Sequence, residues 1–444
     1  FALSSRGFNV LSIEPDDAIL EAVATLTLAL VLFLDGVRLQ VEELGRRWVV
    51  PALVLGPGTG IIIALGAVPL ALMMDFRWVV AFIGGAILAS TDPVVLRDMI
   101  RDSRIPRSVR QVLKLEAGMN DLVVLPVLLI LIAVAQQQMG GTSDWARFLG
   151  ELLVLGPVIG FAVGGAGSWA MANVDRRLSV RREYQALYGV GLVLAAFSLA
   201  TAVGGDGFLA AFFAGLAVVV LNQTLCDCFM EYGEVTSEMM MLLAFVLFGA
   251  LLAEVIDEVQ WGPALVLAGL VIFVIRPLIV NLVLLPATLS WEARVFVAWF
   301  GPRGLNSLLL VLLVVHARLP EATELLATVG VVVLASVAIH GASAPFLSAW
   351  YGRRVAANTL SEERESTAAG LFVHDEEDVR RITPVALEEL LRGADAPLIL
   401  DVRSRSTFER DGAQIPGSVR VLLDDVAEWA TDHPKERLVV AYCT

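Results

Sequence analysis

The chain has 444 residues, 57% of them hydrophobic, and its mean hydropathy is +0.75. A soluble domain of this length needs far more polar cover, so this composition excludes an ordinary soluble protein and predicts a polytopic α-helical membrane protein. The formal net charge is −14, and much of the acidity lies in the polar tail after residue 355, which argues against nucleic acid as a partner.

Apolar segments long enough to cross a bilayer recur along the first 350 residues. We predict about eleven spans, near 18–34, 48–72, 78–100, 109–135, 149–172, 186–202, 208–221, 239–253, 261–288, 292–316 and 325–350. Basic residues cluster in alternate loops, at 38–47, 97–114, 176–182, 294 and 353–354. The positive-inside rule places these loops and the C-terminal tail in the cytoplasm of a plasma-membrane protein. With an odd number of spans, we expect a further helix before Phe1.

Two of these spans are interrupted. Pro93 follows Asp92 in the third span, and proline removes an amide donor and clashes with the preceding turn, so we predict a break near Thr91. The tenth span is interrupted around Arg303, by Gly301, Pro302 and Gly304. Either break alone is more simply a kink, but a broken span in each half is typical of a transporter's central site.

Ionisable residues occur inside the predicted spans or at their polar ends. They are Asp35, Asp92, Glu116, Asp121, Arg276 and Arg303. A carboxylate in hydrocarbon costs at least about 2.5–3.5 kcal/mol, so we interpret the set as functional, although a single charge could reach the interface. Arg276 needs a buried anion and Glu116 needs a cation, so we predict that they pair and leave Asp121 to titrate.

The chemistry of these residues suits a hard cation. Carboxylates, amides and backbone carbonyls are the ligands that such cations prefer, and burial makes a carboxylic acid easier to protonate. One aspartate that binds either a proton or a cation, exposed to each side in turn, is a complete exchange mechanism. Asp121 is our candidate, with Asn120 beside it. Cys226 and Cys228 are interpreted as ordinary thiols, and we predict no cofactor and no metal beyond the transported ion.

The last ninety residues differ in character from the rest. Residues 355–371 are small and polar and predict a linker between a membrane domain at 1–354 and a soluble domain at 372–444. We predict buried parallel strands at 397–402 and 437–442, and helices between turns in PVALEELLRG and LDDVAEWATD.

Several short motifs carry a family resemblance. They are TDPVV at 91–95, EAGMND at 116–121, GGDGFLAAFFAGL at 204–216, FVLFGALL at 245–252 and FGPRG at 300–304. Together they resemble the monovalent cation:proton antiporter family, in its electroneutral sodium–proton exchanger branch, over residues 18–350. The resemblance implies two broken helices that cross at mid-membrane, and a core domain that moves like an elevator against a dimerisation domain in a homodimer.

The resemblance also implies roles for individual residues. Asp121 is the transport carboxylate with Asn120 beside it, Thr91 is a backbone ligand, and Glu116 with Arg276 forms a structural ion pair. Asp92 in the broken stretch belongs to the implied cation-binding set, as does Asp35, which falls where relatives often have a glutamate. Ala117 departs from a serine that is common in the family, so one side-chain oxygen is absent.

The tail resembles a truncated rhodanese-like α/β domain over 380–444. The motifs are LILDVR at 398–403, GAQIPGS at 412–418 and a strand that ends in a cysteine. Cys443 stands where that family carries sulfur, which implies sulfur transfer in a complete domain, but Gln414 replaces the usual histidine. A regulatory or inactive module is the alternative.

We therefore predict a secondary active antiporter, not an enzyme, that exchanges Na⁺, or alternatively K⁺ or Li⁺, for protons and serves pH homeostasis. The partners are the cation, the proton, the bilayer and a second copy of the chain. Two alternatives stay open. One is a membrane-anchored sulfurtransferase, although an anchor needs only one helix. The other is an organic-anion/proton symporter, because the N-termini of broken helices attract anions, but the buried acids outnumber the arginines.

Overall fold

A computed structural model describes most of the membrane part and parts of the tail. The described residues are 4–10, 13–15, 17–38, 54–92, 96, 99–100, 102, 104–137, 141–221, 223–287, 289–357, 382, 384–392, 396–403, 408, 412–422, 425–431, 433 and 437–442. Pro93, Cys443 and most of the predicted linker lie outside this set.

The membrane part is mainly helical. Its helices are α1 (Ala18–Arg38), α2 (Thr59–Met73), α3 (Trp78–Ala89), α4 (Arg107–Ala135), α5 (Thr142–Gly150), α6 (Gly156–Leu178), α7 (Arg182–Ala202), α8 (Gly207–Leu221), α9 (Gln223–Glu254), α10 (Trp261–Gly269), α11 (Arg276–Val283), α12 (Trp291–Trp299), α13 (Leu305–His316) and α14 (Ala322–Ala357). Short π-helical turns precede α2, α6 and α11, at Val54–Gly58, Glu151–Leu155 and Leu270–Ile275.

Eight helical stretches among the described residues are long and apolar enough to cross a bilayer, and α3, α8 and α13 are shorter apolar helices. Each of the eleven predicted spans overlaps one of them, so the prediction of a polytopic helical membrane protein is confirmed. Two of the spans are shortened or interrupted in the structure. The span expected at 78–100 ends as a helix at Ala89, and the span expected at 292–316 is divided into α12 and α13.

Contacts divide the chain into two compact units. The first comprises Phe1–Val95, Leu115–Ile279 and Gly301–Gly341, and the second comprises Leu96–Lys114, Val280–Phe300 and Ala342–Thr444. All the residues of the candidate site described below belong to the first unit. The second unit combines the tail with stretches of the membrane part, so the domain boundaries predicted at 354 and 371 stay predictions.

Close backbone packing holds α6 against α8 in the first unit. A β-carbon on Gly160 would run into the backbone of Ala210, and one on Gly164 would meet the backbone of Ala214 in the same way. Small residues at such four-residue spacing let membrane helices approach closely and gain van der Waals contact. The residues of α8 that face this contact are fully buried.

The described tail contains a small parallel sheet. Its strands β1 (Leu398–Asp401), β2 (Val419–Arg420) and β3 (Val439–Tyr442) lie in the order β2-β1-β3, with Leu398 opposite Val439. Helices α15 (Pro384–Arg392) and α16 (Val426–Thr431) accompany it, so the predicted strands, their parallel pairing and both helices are confirmed.

Strand β3 differs from the prediction in its burial. Whereas Ile399 and Leu400 of β1 are buried, Val439 of β3 is 41% exposed. β1 lies between two neighbours, while β3 lies at the edge of the sheet with β1 as its one described neighbour. Its side chains are therefore less well covered.

Candidate functional site

The first interruption follows α3. The helix ends at Ala89, and Ser90 has an extended backbone with φ −60° and ψ 137°. Ser90, Thr91 and Asp92 lie outside any helix and are all buried. The backbone N–H of Asp92 donates to the carbonyl oxygen of Pro302 at 2.8 Å. This bond joins the first interruption directly to the second.

The second interruption lies between α12 and α13. The carboxylate oxygen Oδ2 of Asp92 accepts the backbone N–H of Leu305, the first residue of α13, at 2.8 Å. An anion at the N-terminus of a helix is stabilised by the free N–H groups and by the helix dipole. Gly304 is required here, because a β-carbon on it would collide with the Asp92 carboxylate. The two interruptions therefore support one another.

Arg303 fills the space beside the second interruption. Its Nε donates to the carbonyl oxygen of Leu88 at 2.7 Å, and its Nη1 donates to the carbonyl oxygen of Gly301. Its backbone N–H donates to Ser336 Oγ on α14 at 2.8 Å. A buried guanidinium that binds two carbonyl oxygens satisfies backbone groups that the broken helices leave without a partner.

Asp121 lies on α4, where the two interruptions meet, and is 1% exposed. Its Oδ1 accepts the hydroxyl of Ser90 at 2.6 Å, and its Oδ2 accepts the amide Nδ2 of Asn306 on α13 at 2.6 Å. One carboxylate is thus bound from both interrupted segments. Movement of either segment would therefore alter the hydrogen bonds of the Asp121 carboxylate.

Asn120 binds the end of α3. Its Nδ2 donates to the carbonyl oxygen of Ala89 at 2.8 Å and to Thr91 Oγ1 at 3.1 Å. Its Oδ1 is buried and has no hydrogen-bond donor among the described residues. Asn120 therefore caps the first interruption and presents an amide oxygen inside the site.

Two further acids have arginine partners. Arg276 Nη1 donates to Glu116 Oε1 at 2.6 Å in a buried ion pair between α11 and α4. Asp35 on α1 lies 3.5 Å from Arg38, one turn later on the same helix. Asp121, by contrast with Glu116, accepts its hydrogen bonds from two neutral donors, Ser90 and Asn306.

Ser90 and Asn306 are the residues that the sequence analysis did not single out. Both bind Asp121 directly. Both occur in apolar stretches of the sequence, where an uncharged hydroxyl or amide is a weaker signal of a functional site than a charged group. The pair Asn306–Ser307 at the start of the apolar run LNSLLLVLL, just after the interruption, was the available signal. Ala117 lacks the hydroxyl that the family resemblance leads us to expect, and Ser90 supplies a hydroxyl to the Asp121 carboxylate.

The arrangement is chemically suited to a hard cation. Hydrogen bonds join Asp121 to Ser90 and Asn306, and Asn120 to Thr91, and all five of these side chains carry an oxygen atom. Carboxylate, hydroxyl and amide oxygens are the donor set that alkali and alkaline-earth cations select. The same carboxylate can bind a proton in place of the cation.

The chain is similar to known transport proteins. Residues 2–350 match the family model described as sodium/hydrogen exchanger, transmembrane. The K(+)/H(+) antiporter NhaP of Alkalimonas amylolytica is 25% identical over 333 residues, covering 74% of this chain and 57% of that protein. The K(+)/H(+) antiporter NhaP2 of Shewanella sp. (strain ANA-3) is 28% identical over 327 residues, covering 72% and 56%. The chain therefore spans about half the length of the curated relatives it matches.

A solved structure has the same fold. The sodium proton antiporter MjNhaP1 from Methanocaldococcus jannaschii, at pH 8, aligns with a TM-score of 0.62 at 18% identity, covering 77% of this chain and 88% of that one. The relatives are named as transporters, in agreement with the prediction of a transporter and not an enzyme.

Proposed function

Because the chain belongs to the sodium/hydrogen exchanger family, we propose that it exchanges a monovalent cation for protons, with Asp121 binding each in turn. The observation that carries the proposal is the position of Asp121, a buried carboxylate held by Ser90 and Asn306 from the two interrupted segments. Alternating exposure of this one group to the two sides of the membrane couples the two ions, since proton and cation compete for the same oxygens.

We propose Na⁺ as the transported cation, with K⁺ and Li⁺ as the alternatives. The names of similar proteins include both potassium and sodium antiporters. The oxygen donors around Asp121 suit any of these ions. Thr91 and Asn120 contribute to the cation site in this proposal, whereas Asp35, with Arg38 beside it, contributes from α1.

The balance of buried charge supports electroneutral exchange. The buried ionisable groups of the two interruptions, of α4 and of α11 among the described residues are three acids and two arginines, namely Asp92, Glu116, Asp121, Arg276 and Arg303. With all of them ionised, one negative charge is in excess. A buried net charge is costly, and one proton or one monovalent cation removes it. Exchange of one for the other leaves the site neutral in both loaded states.

The same charge count disfavours an organic-anion symporter, because a bound anion would add a second negative charge to the site.

We propose that the protein works as a homodimer in the plasma membrane, with the tail in the cytoplasm, where the arginine-rich loops also lie.

For the tail we propose a rhodanese-like module, regulatory or active in sulfur transfer. Its described part is an α/β arrangement with a parallel sheet, and the resemblance of its motifs supports the assignment. Thiosulfate-dependent sulfur transfer by the full-length protein, with and without Cys443, distinguishes the two roles. Loss of transfer on Cys443→Ser indicates an enzyme, and absence of transfer in both indicates a regulatory module.

The antiport proposal is tested in proteoliposomes. An outward gradient of Na⁺, K⁺ or Li⁺ is imposed and the internal pH is followed, with and without a membrane potential. We expect cation-driven proton flux in the wild type, no effect of the potential on its rate, and no flux in Asp121→Asn. Asp144→Asn, the same chemical change at an exposed position of α5, is the matched control. Undiminished flux in Asp121→Asn would overturn the proposal.

A further inference from the structure

The side-chain amide of Asn306 has two ends, and the structure uses only one of them. Nδ2 donates to Asp121 Oδ2 at 2.6 Å, while Oδ1 has no hydrogen-bond donor among the described residues. The residue is 1% exposed. A buried amide oxygen without a donor is costly and calls for an explanation.

The observed orientation of the amide fits one state of Asp121. An ionised carboxylate only accepts hydrogen bonds, so it favours the N–H end of the amide. A protonated carboxyl group has one O–H to donate and needs an acceptor, and a bound cation attracts oxygen and repels N–H. Both of these states favour Oδ1. The torsion at the end of an asparagine side chain is broad and roughly two-fold, so a half-turn exchanges the two ends without moving the helix.

Ser307, the next residue, shows the contrast. It is equally buried, but its hydroxyl donates to the carbonyl oxygen of Ile87 at 3.1 Å. That bond closes helix α13 against α3 and does not involve Asp121. A polar side chain at this point of α13 can therefore be purely structural, and Asn306 is distinguished by its bond to the carboxylate.

We propose that Asn306 is a specificity-determining residue of the exchange site, whose amide donates to ionised Asp121 and turns its oxygen toward the cation or the carboxyl proton when either binds. The inference rests on the proposed function of Asp121. The role differs from capping of α13, because the Asp92 carboxylate already accepts the first N–H of that helix.

The experiment compares full-length wild type, Asn306→Leu, Asn306→Ser and Ser307→Ala in the same proteoliposomes, with Na⁺, K⁺ and Li⁺ as probes. Leucine has the same number of side-chain heavy atoms as asparagine and the same branching, without the amide. We expect Asn306→Leu to raise the KM for the preferred cation by about tenfold or more, since a hydrogen bond to a charged group is lost along with an oxygen ligand. We expect the maximal rate to change by less than about threefold, because the transport carboxylate itself remains.

Asn306→Leu should also change the pH profile and the ratio of KM values among the three cations. Loss of the donor disfavours ionised Asp121, so the pH of half-maximal exchange should rise. Asn306→Ser introduces a hydroxyl that can donate or accept a hydrogen bond. Its KM and pH profile should shift in the same directions as in Asn306→Leu, but by less. Ser307→Ala should keep the wild-type KM and pH profile.

The failure of the inference and that of the proposed function are separable. If wild type exchanges ions and Asp121→Asn does not, yet Asn306→Leu keeps the wild-type KM, cation preference and pH profile, the inference is overturned and the antiport proposal stands. If wild type carries no cation-driven flux, the antiport proposal itself fails, and the inference fails with it. If Asn306→Leu does not reach the membrane, the test is made on Asn306→Ser. A wild-type KM, cation preference and pH profile in that variant overturn the inference.

Discussion

The carboxylate oxygen Oδ2 of Asp92 lies 2.8 Å from the backbone nitrogen of Leu305, and the backbone N–H of Asp92 binds the carbonyl oxygen of Pro302. One residue of the first interrupted segment thus binds both the second interruption, at Pro302, and the beginning of the next helix, at Leu305. The resemblance implies Asp92 as a cation ligand, whereas in the structure its Oδ2 caps α13. Asp92 thereby fixes the position from which Asn306 reaches Asp121.

Removal of the Asp92 cap should destabilise the protein. We expect Asp92→Ala to lower stability by about 0.5–2 kcal/mol, the usual range for the loss of an N-cap acceptor. Asp92→Asn keeps a carbonyl oxygen that can accept the Leu305 N–H, so its loss of stability should be clearly smaller than that of Asp92→Ala. The measurement is the thermal unfolding midpoint of the detergent-purified protein. Equal losses in the two variants would show that the charge of Asp92, and not its capping bond, is what matters.

The buried pair of Glu116 and Arg276 should show strong coupling. Removal of one partner from a buried ion pair costs about 3–5 kcal/mol, because the other charge is left unpaired. We expect Glu116→Gln and Arg276→Gln each to unfold at a lower temperature than the wild type. The loss of stability in the double variant should be much smaller than the sum of the losses in the two single variants.

The control for this cycle is the exposed pair of Arg147 and Glu151, 2.7 Å apart. Exposed pairs contribute about 0–1 kcal/mol, so glutamine at either position should have little effect. Strictly additive losses at Glu116 and Arg276 would contradict a direct interaction of the two side chains in the folded protein.

The tail should lose stability in acid through Asp401. Burial alone would raise the pKa of this carboxyl, but hydrogen bonds from Arg403 to both its oxygens, at 2.9 and 2.7 Å, outweigh it and lower the pKa from 3.8 to about 2. Because the pKa is lower in the folded state, the stabilisation is fully present above about pH 4 and is lost as the pH falls toward 2.

Hydrogen exchange of peptides from β1 and β3, corrected for the intrinsic effect of pH, measures this loss in the full-length protein. We expect protection to fall between about pH 4 and pH 2 in the wild type. Asp401→Asn should be less protected at neutral pH and should show no further loss in that window. Glu388→Gln, at an exposed residue of α15, should behave as the wild type does. An unchanged pH dependence in Asp401→Asn would contradict the assignment.

Features with a strong local cause could be predicted from the sequence. The non-helical stretches after Ala89 and around Arg303 follow from proline and glycine chemistry, which acts within one turn. The contact between Glu116 and Arg276 follows from the need of each buried charge for a partner, which leaves few choices among so few charges. The apolar runs are long enough to identify their helices without any knowledge of packing.

Features that depend on three-dimensional neighbours could not be predicted. Asn120 was expected beside Asp121, but the sequence alone did not show which groups its amide binds; in the structure these are Ala89 and Thr91, because the end of α3 lies within reach. Ser90 and Asn306 carry no charge, so the cost of burial alone did not distinguish them from other polar residues in the apolar segments. The exposure of β3 depends on which strands lie beside it, and this is a matter of topology.

The glycines of α6 have a mechanical consequence. The backbones at Gly160 and Ala210, and again at Gly164 and Ala214, leave no space for a methyl group. Helices α6 and α8 are therefore in direct backbone contact at two successive positions. A fractional slide along the axis would push one main chain into the other. In the proposed transport cycle, any large displacement would therefore carry these two helices together as one rigid unit, and sliding would occur at other contacts.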